Sequence, residues 1–125
     1  MIGLDREQII SLHNAIYERY SGDVGVLKED MLDSALQAPF QTFGGEELIP
    51  DTNEKIVRLA FGLIKNHAFR DGNKRIGALV LITLLELNGY PVKATNAEFA
   101  DIIMGVAASE KNEEDLLNWV EVHHG

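Results

Sequence analysis

The chain has 125 residues, 46% of them hydrophobic and 25% charged, with no cysteine and a formal net charge of −9. That length and composition describe a single domain over residues 1–125 with room for one modest core. The missing cysteines exclude a disulfide framework and thiolate chemistry, and the acidic balance disfavours a general nucleic-acid binder, which would be basic.

Met1 leads into a polar helix start, not a basic segment followed by an apolar run, so no secretory signal is read. The most apolar stretch, Ile76 to Leu87, is too short to span a bilayer and reads as a buried helix. A cytoplasmic protein without membrane or nucleic-acid partners is expected, and the absence of cysteine suits a reducing compartment.

Asp5 and Gln8 form the pattern that opens a helix, and Ile9, Ile10, Leu12, Ile16 and Tyr20 follow at helical spacing. That helix should stop near Ser21-Gly22. A short second helix is expected over Glu29 to Ala38, with Met31, Leu32, Ala35 and Leu36 as its apolar stripe, ended by Pro39. Phe40 to Pro50 is irregular, and the paired glycines Gly44-Gly45 suit a short hairpin or flap. Asp51 or Thr52 can cap a third helix reaching Asn66, and Lys74 to Asn88 forms a fourth, closed by Gly89. Both are apolar nearly all round, as central helices are. Thr95 with Glu98 opens a fifth helix to about Glu110, and Asn112 can cap a sixth carrying Leu116, Leu117, Trp119 and Val120. The fold class is all-α, a compact six-helix bundle with a short flap.

The segment that carries chemistry joins the two most apolar helices: His67-Ala68-Phe69-Arg70-Asp71-Gly72-Asn73-Lys74-Arg75. From Lys65 to Arg75 four cations (Lys65, Arg70, Lys74, Arg75) face one acid, Asp71, a local sum of +3 on an acidic chain. A small cationic site on such a body suits an anionic small molecule. The first backbone N–H groups of a helix point outward without internal partners and, with the helix dipole, bind anions. Gly72 lets a phosphate approach the backbone. Asn73 can cap the helix and still donate from its amide. Lys74 and Arg75 oppose the dipole of the first turn, so their placement asks for an anion. Asp71 offers a hard oxygen ligand for Mg²⁺, although it equally suits a plain helix cap. His67, near neutrality in its ordinary pKa, can take a proton from an attacking hydroxyl. His13, between Ile9 and Ile16 on the first helix, reads as a core-edge histidine with an internal hydrogen bond. The acidic stretch of Glu110, Glu113, Glu114 and Asp115 reads as a solvated face.

The run HAFRDGNKR resembles the signature of the Fic/Doc family, His-x-Phe-x-acid-small-Asn-(Gly or Lys)-Arg, with every fixed position filled. Leu12-His13 with Arg19-Tyr20-Ser21-Gly22, Leu32 to Leu36 and Phe61 to His67 are similar to further stretches of that family. The resemblance implies His67 as base, Asp71 as Mg²⁺ ligand, Gly72, Asn73, Lys74 and Arg75 as phosphate cradle, and Phe69 as an inward anchor of the loop. The AMP-transferring Fic branch has Gly at the position of Lys74 and a second Arg at that of Ala78, and both departures match the Doc branch. That likeness implies a toxin that moves the γ-phosphoryl group of ATP onto a hydroxyl of a protein, translation elongation factor Tu in the Doc case, and that a small antitoxin neutralises. Doc itself carries Ala where this chain has Gly72. AMP transfer through the same His67 is the rival activity. A non-catalytic nucleotide- or protein-binding module is the rival outside enzymes, and it would not need His67. The groove beside Phe40–Pro50 is the expected docking surface for the antitoxin.

Overall fold

The computed structural model describes the backbone of residues 1–20 and 25–125 and, within the first helix, side chains as far as Ile16. The described elements are α1 (Arg6–Tyr20), α2 (Glu29–Gln37), a 3₁₀ turn (Ala38–Phe40), β1 (Thr42–Phe43), β2 (Glu46–Glu47), α3 (Thr52–Lys65), α4 (Asn73–Leu87), α5 (Asn96–Ala107) and α6 (Glu113–Val122). The all-α class holds, and the expected helices all appear. The expected stop at Ser21-Gly22 lies outside the described residues.

The helix starts follow from side chains that satisfy orphan N–H groups. Asp5 and Gln8 exchange two hydrogen bonds, Gln8 N–H to Asp5 Oδ1 at 2.8 Å and Asp5 N–H to Gln8 Oε1 at 2.9 Å. Asp51, not Thr52, caps α3 by accepting from Glu54 N–H. Thr95 with Glu98 and Asn112 with Asp115 complete reciprocal boxes on α5 and α6. Each such cap stabilises its helix by about 1 kcal/mol. Gly89, with φ at 77°, ends the α4 region as expected.

α3 and α4 pack against each other at the centre. Ile56, Leu59, Ala60, Leu63 and Ile64 of α3 and Ile76, Val80, Leu81, Leu84 and Leu85 of α4 are all buried. The two backbones approach closely because position 77 has no side chain: a Cβ there would stand 2.5 Å from Ile64 Cγ1. Around this pair lie α2 (Leu32, Ala35), α5 (Ile102, Ile103, Val106), α6 (Leu116, Val120) and α1 (Ile9). Met31, expected on the buried stripe of α2, is instead exposed; its neighbours Leu32 and Ala35 take the core side of this short helix. Among polar links, Arg6 of α1 pairs with Glu29 and Asp33 of α2, and Arg58 of α3 with Glu113 of α6.

The Phe40–Pro50 segment is a hairpin. Thr42 pairs with Glu47 and Phe43 with Glu46, and Gly44 and Gly45 turn at φ 60° and 85°. Positive φ at both turn residues is what the type I′ geometry needs, and glycine supplies it without strain. Lys55, 7% exposed, holds the hairpin to α3 through Glu47 at 2.8 Å. Phe43 stands 80% exposed at the tip and Leu48 60% exposed after the second strand. The depression beside the hairpin, lined by Ile49, Val57 and Leu117 among others, holds only about 160 Å³. A much larger groove, about 860 Å³, runs along the other side of α4, between Leu79 and Ala78 and the α5 residues Phe99, Ile103 and Met104. The depression at the flap is thus the smaller of the two, and Lys55 ties the hairpin to α3 through Glu47.

Candidate active site

α3 ends at Lys65 with Asn66 as its cap, and the chain then turns at His67, whose φ is +50°. A left-handed residue just past a helix end is normally glycine, since any Cβ costs about 1–2 kcal/mol in that conformation. The chain carries an exposed histidine at this position instead. Asn66 steadies the turn by donating from Nδ2 to Met31 O at 3.1 Å.

Ala68 and Phe69 then dive into the core, at 0% and 1% exposure, while Arg70 and Asp71 return to the surface. The loop between them is held from three sides. The segment before α2 pairs with it as an isolated antiparallel bridge, Val26 to Phe69. Leu27 and Lys28 N–H both donate to Ala68 O, at 2.8 and 3.0 Å, and Arg70 N–H donates to Gly25 O at 3.3 Å. From α4, the Asn73 amide clamps the Phe69 backbone: Oδ1 accepts Phe69 N–H at 3.0 Å and Nδ2 donates to Phe69 O at 3.2 Å. From α1, His13 stacks on the Phe69 ring with centroids 4.0 Å apart. Its Nε2 lies 2.6 Å from Asp71 O.

The N-cap of α4 is Gly72, in the left-handed region at φ 75°, and not Asn73, which is the first helical residue. Asn73 is the cap expected from the sequence, because Asn is a good cap in general. Here its amide is spent on Phe69, and the sharp entry angle from Asp71 needs the glycine backbone. Asp71 is not the cap either. Its carboxylate sits one residue earlier and accepts Gly72 N–H at 2.7 Å. Lys74 and Arg75 are exposed on the first turn of α4. Both border the 860 Å³ groove, which Ile16 of α1 closes on one side, whereas His67 and Asp71 lie outside its lining.

The structure thus brings His67, Asp71, Gly72, Lys74 and Arg75 to one end of the α3–α4 pair. It takes Lys65 away: its ammonium bonds Ser109 Oγ and lies 3.4 Å from Val106 O, at the carboxyl end of α5. A cation there complements the helix dipole, so Lys65 caps α5 and the cationic cluster is three residues, not four. Read locally, the sequence also missed that His13 and Gly25–Lys28 reach this loop. Nothing near those residues signals a contact more than 40 positions downstream.

Among the described residues no three His, Asp or Glu side chains gather as a metal cage. Asp71 is a single exposed carboxylate, a donor set that fits Mg²⁺ carried in by a polyphosphate and not a resident ion. No described helix is long and apolar enough to cross a membrane.

The model of the Fic/DOC family matches residues 3–85, which include this helix, loop and helix. The chain belongs to that family. It is 29% identical over 115 residues to the toxin Doc of Mycolicibacterium smegmatis, covering 91% of this chain and 86% of that one. It is 30% identical over 104 residues to the protein kinase doc of Escherichia phage P1, covering 83% and 81% respectively.

Proposed function

We propose that this chain is a Doc-like toxin that transfers the γ-phosphoryl group of ATP to a hydroxyl of a protein target in the cytoplasm, and that a small antitoxin restrains it. The observation that supports this reading is that exposed His67 lies just past the end of α3, in the short loop that leads into the cationic first turn of α4. The names of the two relatives, a toxin and a protein kinase, support the same reading.

In this mechanism the free N–H groups of the first turn of α4 receive phosphate oxygens, and Gly72 keeps the approach open. Lys74 and Arg75 supply charge to the transferring group. Asn73 serves the cradle through the backbone it clamps, since its amide is bonded to Phe69. Asp71 would hold Mg²⁺, which neutralises charge on the phosphates. His67 takes the proton of the target hydroxyl as the oxygen attacks, and the γ-phosphoryl leaves ADP. Catalysis is then mostly positioning and electrostatics. The target proposed is a translation factor of the elongation factor Tu kind, and growth arrest follows from blocked translation. The exposed apolar tip of the hairpin, Phe43 with Leu48, is the surface proposed for protein contact.

Lys74 decides the direction of transfer in this reading. A side chain with charge at this position fills space that a glycine would leave for the α- and β-phosphates, so the γ-phosphate faces His67. The test uses γ-labelled and α-labelled ATP with a bacterial lysate or purified elongation factor. Label from the γ position should reach a protein and label from the α position should not. Transfer of α label would replace the kinase reading with AMP transfer. Transfer of neither would leave a binding module.

A further inference from the structure

His13 lies 54 residues before His67 in the chain, yet its side chain is 0% exposed and sits directly beneath the loop that carries the site. Its contacts with the loop hold it there. Its ring stacks on Phe69 at 4.0 Å with planes 14° apart, and Nε2 stands 2.6 Å from the carbonyl oxygen of Asp71. A carbonyl only accepts, so Nε2 carries the hydrogen and donates it. Stacking on a ring that is itself 1% exposed leaves the imidazole no room to swing that donor elsewhere.

The consequence runs through one peptide plane. No described peptide bond is cis. In a trans peptide the C=O and the following N–H point in opposite directions. Drawing Asp71 C=O inward toward His13 therefore turns Gly72 N–H outward. The Asp71 carboxylate is on that same outer side, because Oδ1 accepts Gly72 N–H at 2.7 Å. One internal hydrogen bond thus sets the direction of Gly72 N–H and, through it, of the Asp71 carboxylate that it holds. Gly72, at φ 75°, has no Cβ to oppose rotation of this plane, so the plane needs an outside restraint. Asn73 and Gly25–Lys28 restrain Ala68, Phe69 and Arg70, and His13 restrains Asp71.

We infer that His13 is a positioning residue for the site: its Nε2–H holds the Asp71–Gly72 peptide in the orientation that keeps Gly72 N–H on the Asp71 carboxylate and sets that carboxylate on the outer side of the loop, toward a phosphate-bound ligand. It touches neither ligand nor target and acts through Asp71. The kinetic part of the test rests on the phosphotransfer reading above, and the spectroscopic part does not.

Nitrogen-15 NMR of the unmutated protein reads the tautomer first: Nε2 should carry a hydrogen coupled across to a carbonyl, and a bare Nε2 overturns the inference. His13→Gln keeps a donor at nearly the same reach, and His13→Met keeps the volume without the donor. The Gly72 amide resonance should stay near its original position in His13→Gln and move in His13→Met. In the transfer assay His13→Gln should keep its rate within about threefold. His13→Met should lose kcat on the order of ten- to a hundredfold at unchanged KM for the protein target, as misplacement of a reacting group does. Both variants are compared at temperatures where circular dichroism shows them folded. An unmoved Gly72 amide in His13→Met, or a His13→Gln protein as impaired as His13→Met, overturns the inference. If His13→Met does not fold, the tautomer and the behaviour of His13→Gln decide it. If the unmutated protein transfers no label at all, the phosphotransfer reading fails while the two NMR results still judge His13.

Discussion

Replacing Gly77 with alanine tests how tightly the two central helices are set. The added Cβ would lie 2.5 Å from Ile64 Cγ1, 3.2 Å from Ile64 Cδ1 and 3.1 Å from Ala60 O. Carbon atoms in good contact stand about 3.5–4.0 Å apart, so the helices or Ile64 must give by roughly 1 Å. Ile64 is 1% exposed and Ala60 0%, in a helix packed on several faces, so neither can retreat without disturbing a second contact. Overpacking of this kind costs about 1–3 kcal/mol. Alanine's better helix propensity returns at most about 1 kcal/mol. The net loss is about 1–2 kcal/mol, a fall in melting temperature of roughly 3–8 °C for a domain of this length. Thermal unfolding followed by far-ultraviolet circular dichroism measures it. Gly105→Ala is the control: its Cβ would meet Lys111 Cγ at 2.7 Å, but that side chain is exposed and can swing away. It should melt at or slightly above the parent. A Gly77→Ala protein as stable as the parent, or a Gly105→Ala protein that falls as far, would refute the claim that close approach at position 77 sets the packing. Because α3 delivers His67 and α4 begins the cradle, the same shift should lower transfer on the order of tenfold.

His67→Ala should abolish transfer yet keep the fold and nucleotide binding, since the histidine is exposed and separate from the helix start; calorimetry with ATP beside the label assay checks both. Asn73→Ala removes two hydrogen bonds to buried Phe69 backbone groups and should cost about 1–3 kcal/mol in urea unfolding. The Thr95 backbone N–H, then its hydroxyl, then His123, hold the Glu98 carboxyl below its ordinary value. Its contribution to stability is therefore present above the unfolded carboxylate pKa and fades as pH falls through the lower folded one. An NMR titration of Glu98 should show this depression, and Thr95→Ala should reduce it. Expression of the unmutated chain alone should arrest bacterial growth by blocking translation, and the His67→Ala chain should not, as plating after induction would show.

The sequence is most legible where a few neighbouring residues decide the outcome. Thr95 and Glu98, Asn112 and Asp115, and Asp5 and Gln8 close their boxes within one turn, so reading them needs no tertiary knowledge. Gly44-Gly45 likewise announces the hairpin. The nine-residue signature segment was legible as a loop between two helices because helix, loop and helix are contiguous there. What could not be read depends on which distant surfaces meet. Lys65 looks like a fourth cation of the cluster until α5 ends beside it. Asn73 looks like a cap until Phe69 claims both ends of its amide. Met31 looks buried until the short α2 turns Leu32 inward.

The carboxyl end of α4 lies at the far end of the helix from Gly72. Asn88, its carboxyl cap, holds Ile2 by both backbone groups, accepting from Ile2 N–H at 2.7 Å and donating to Ile2 O at 2.8 Å. A few residues on, Tyr90 stacks on His124 at 3.8 Å, and Gly125 N–H donates to Pro91 O at 3.1 Å. Residues 2 and 125 therefore meet near the same pole, and the fifteen-residue α4 places it about 22 Å from Gly72. A fluorophore, affinity handle or surface linkage added at either position would stand behind the molecule, with the His67 face turned outward. The protein can be tethered by its back while its partners are offered to its front.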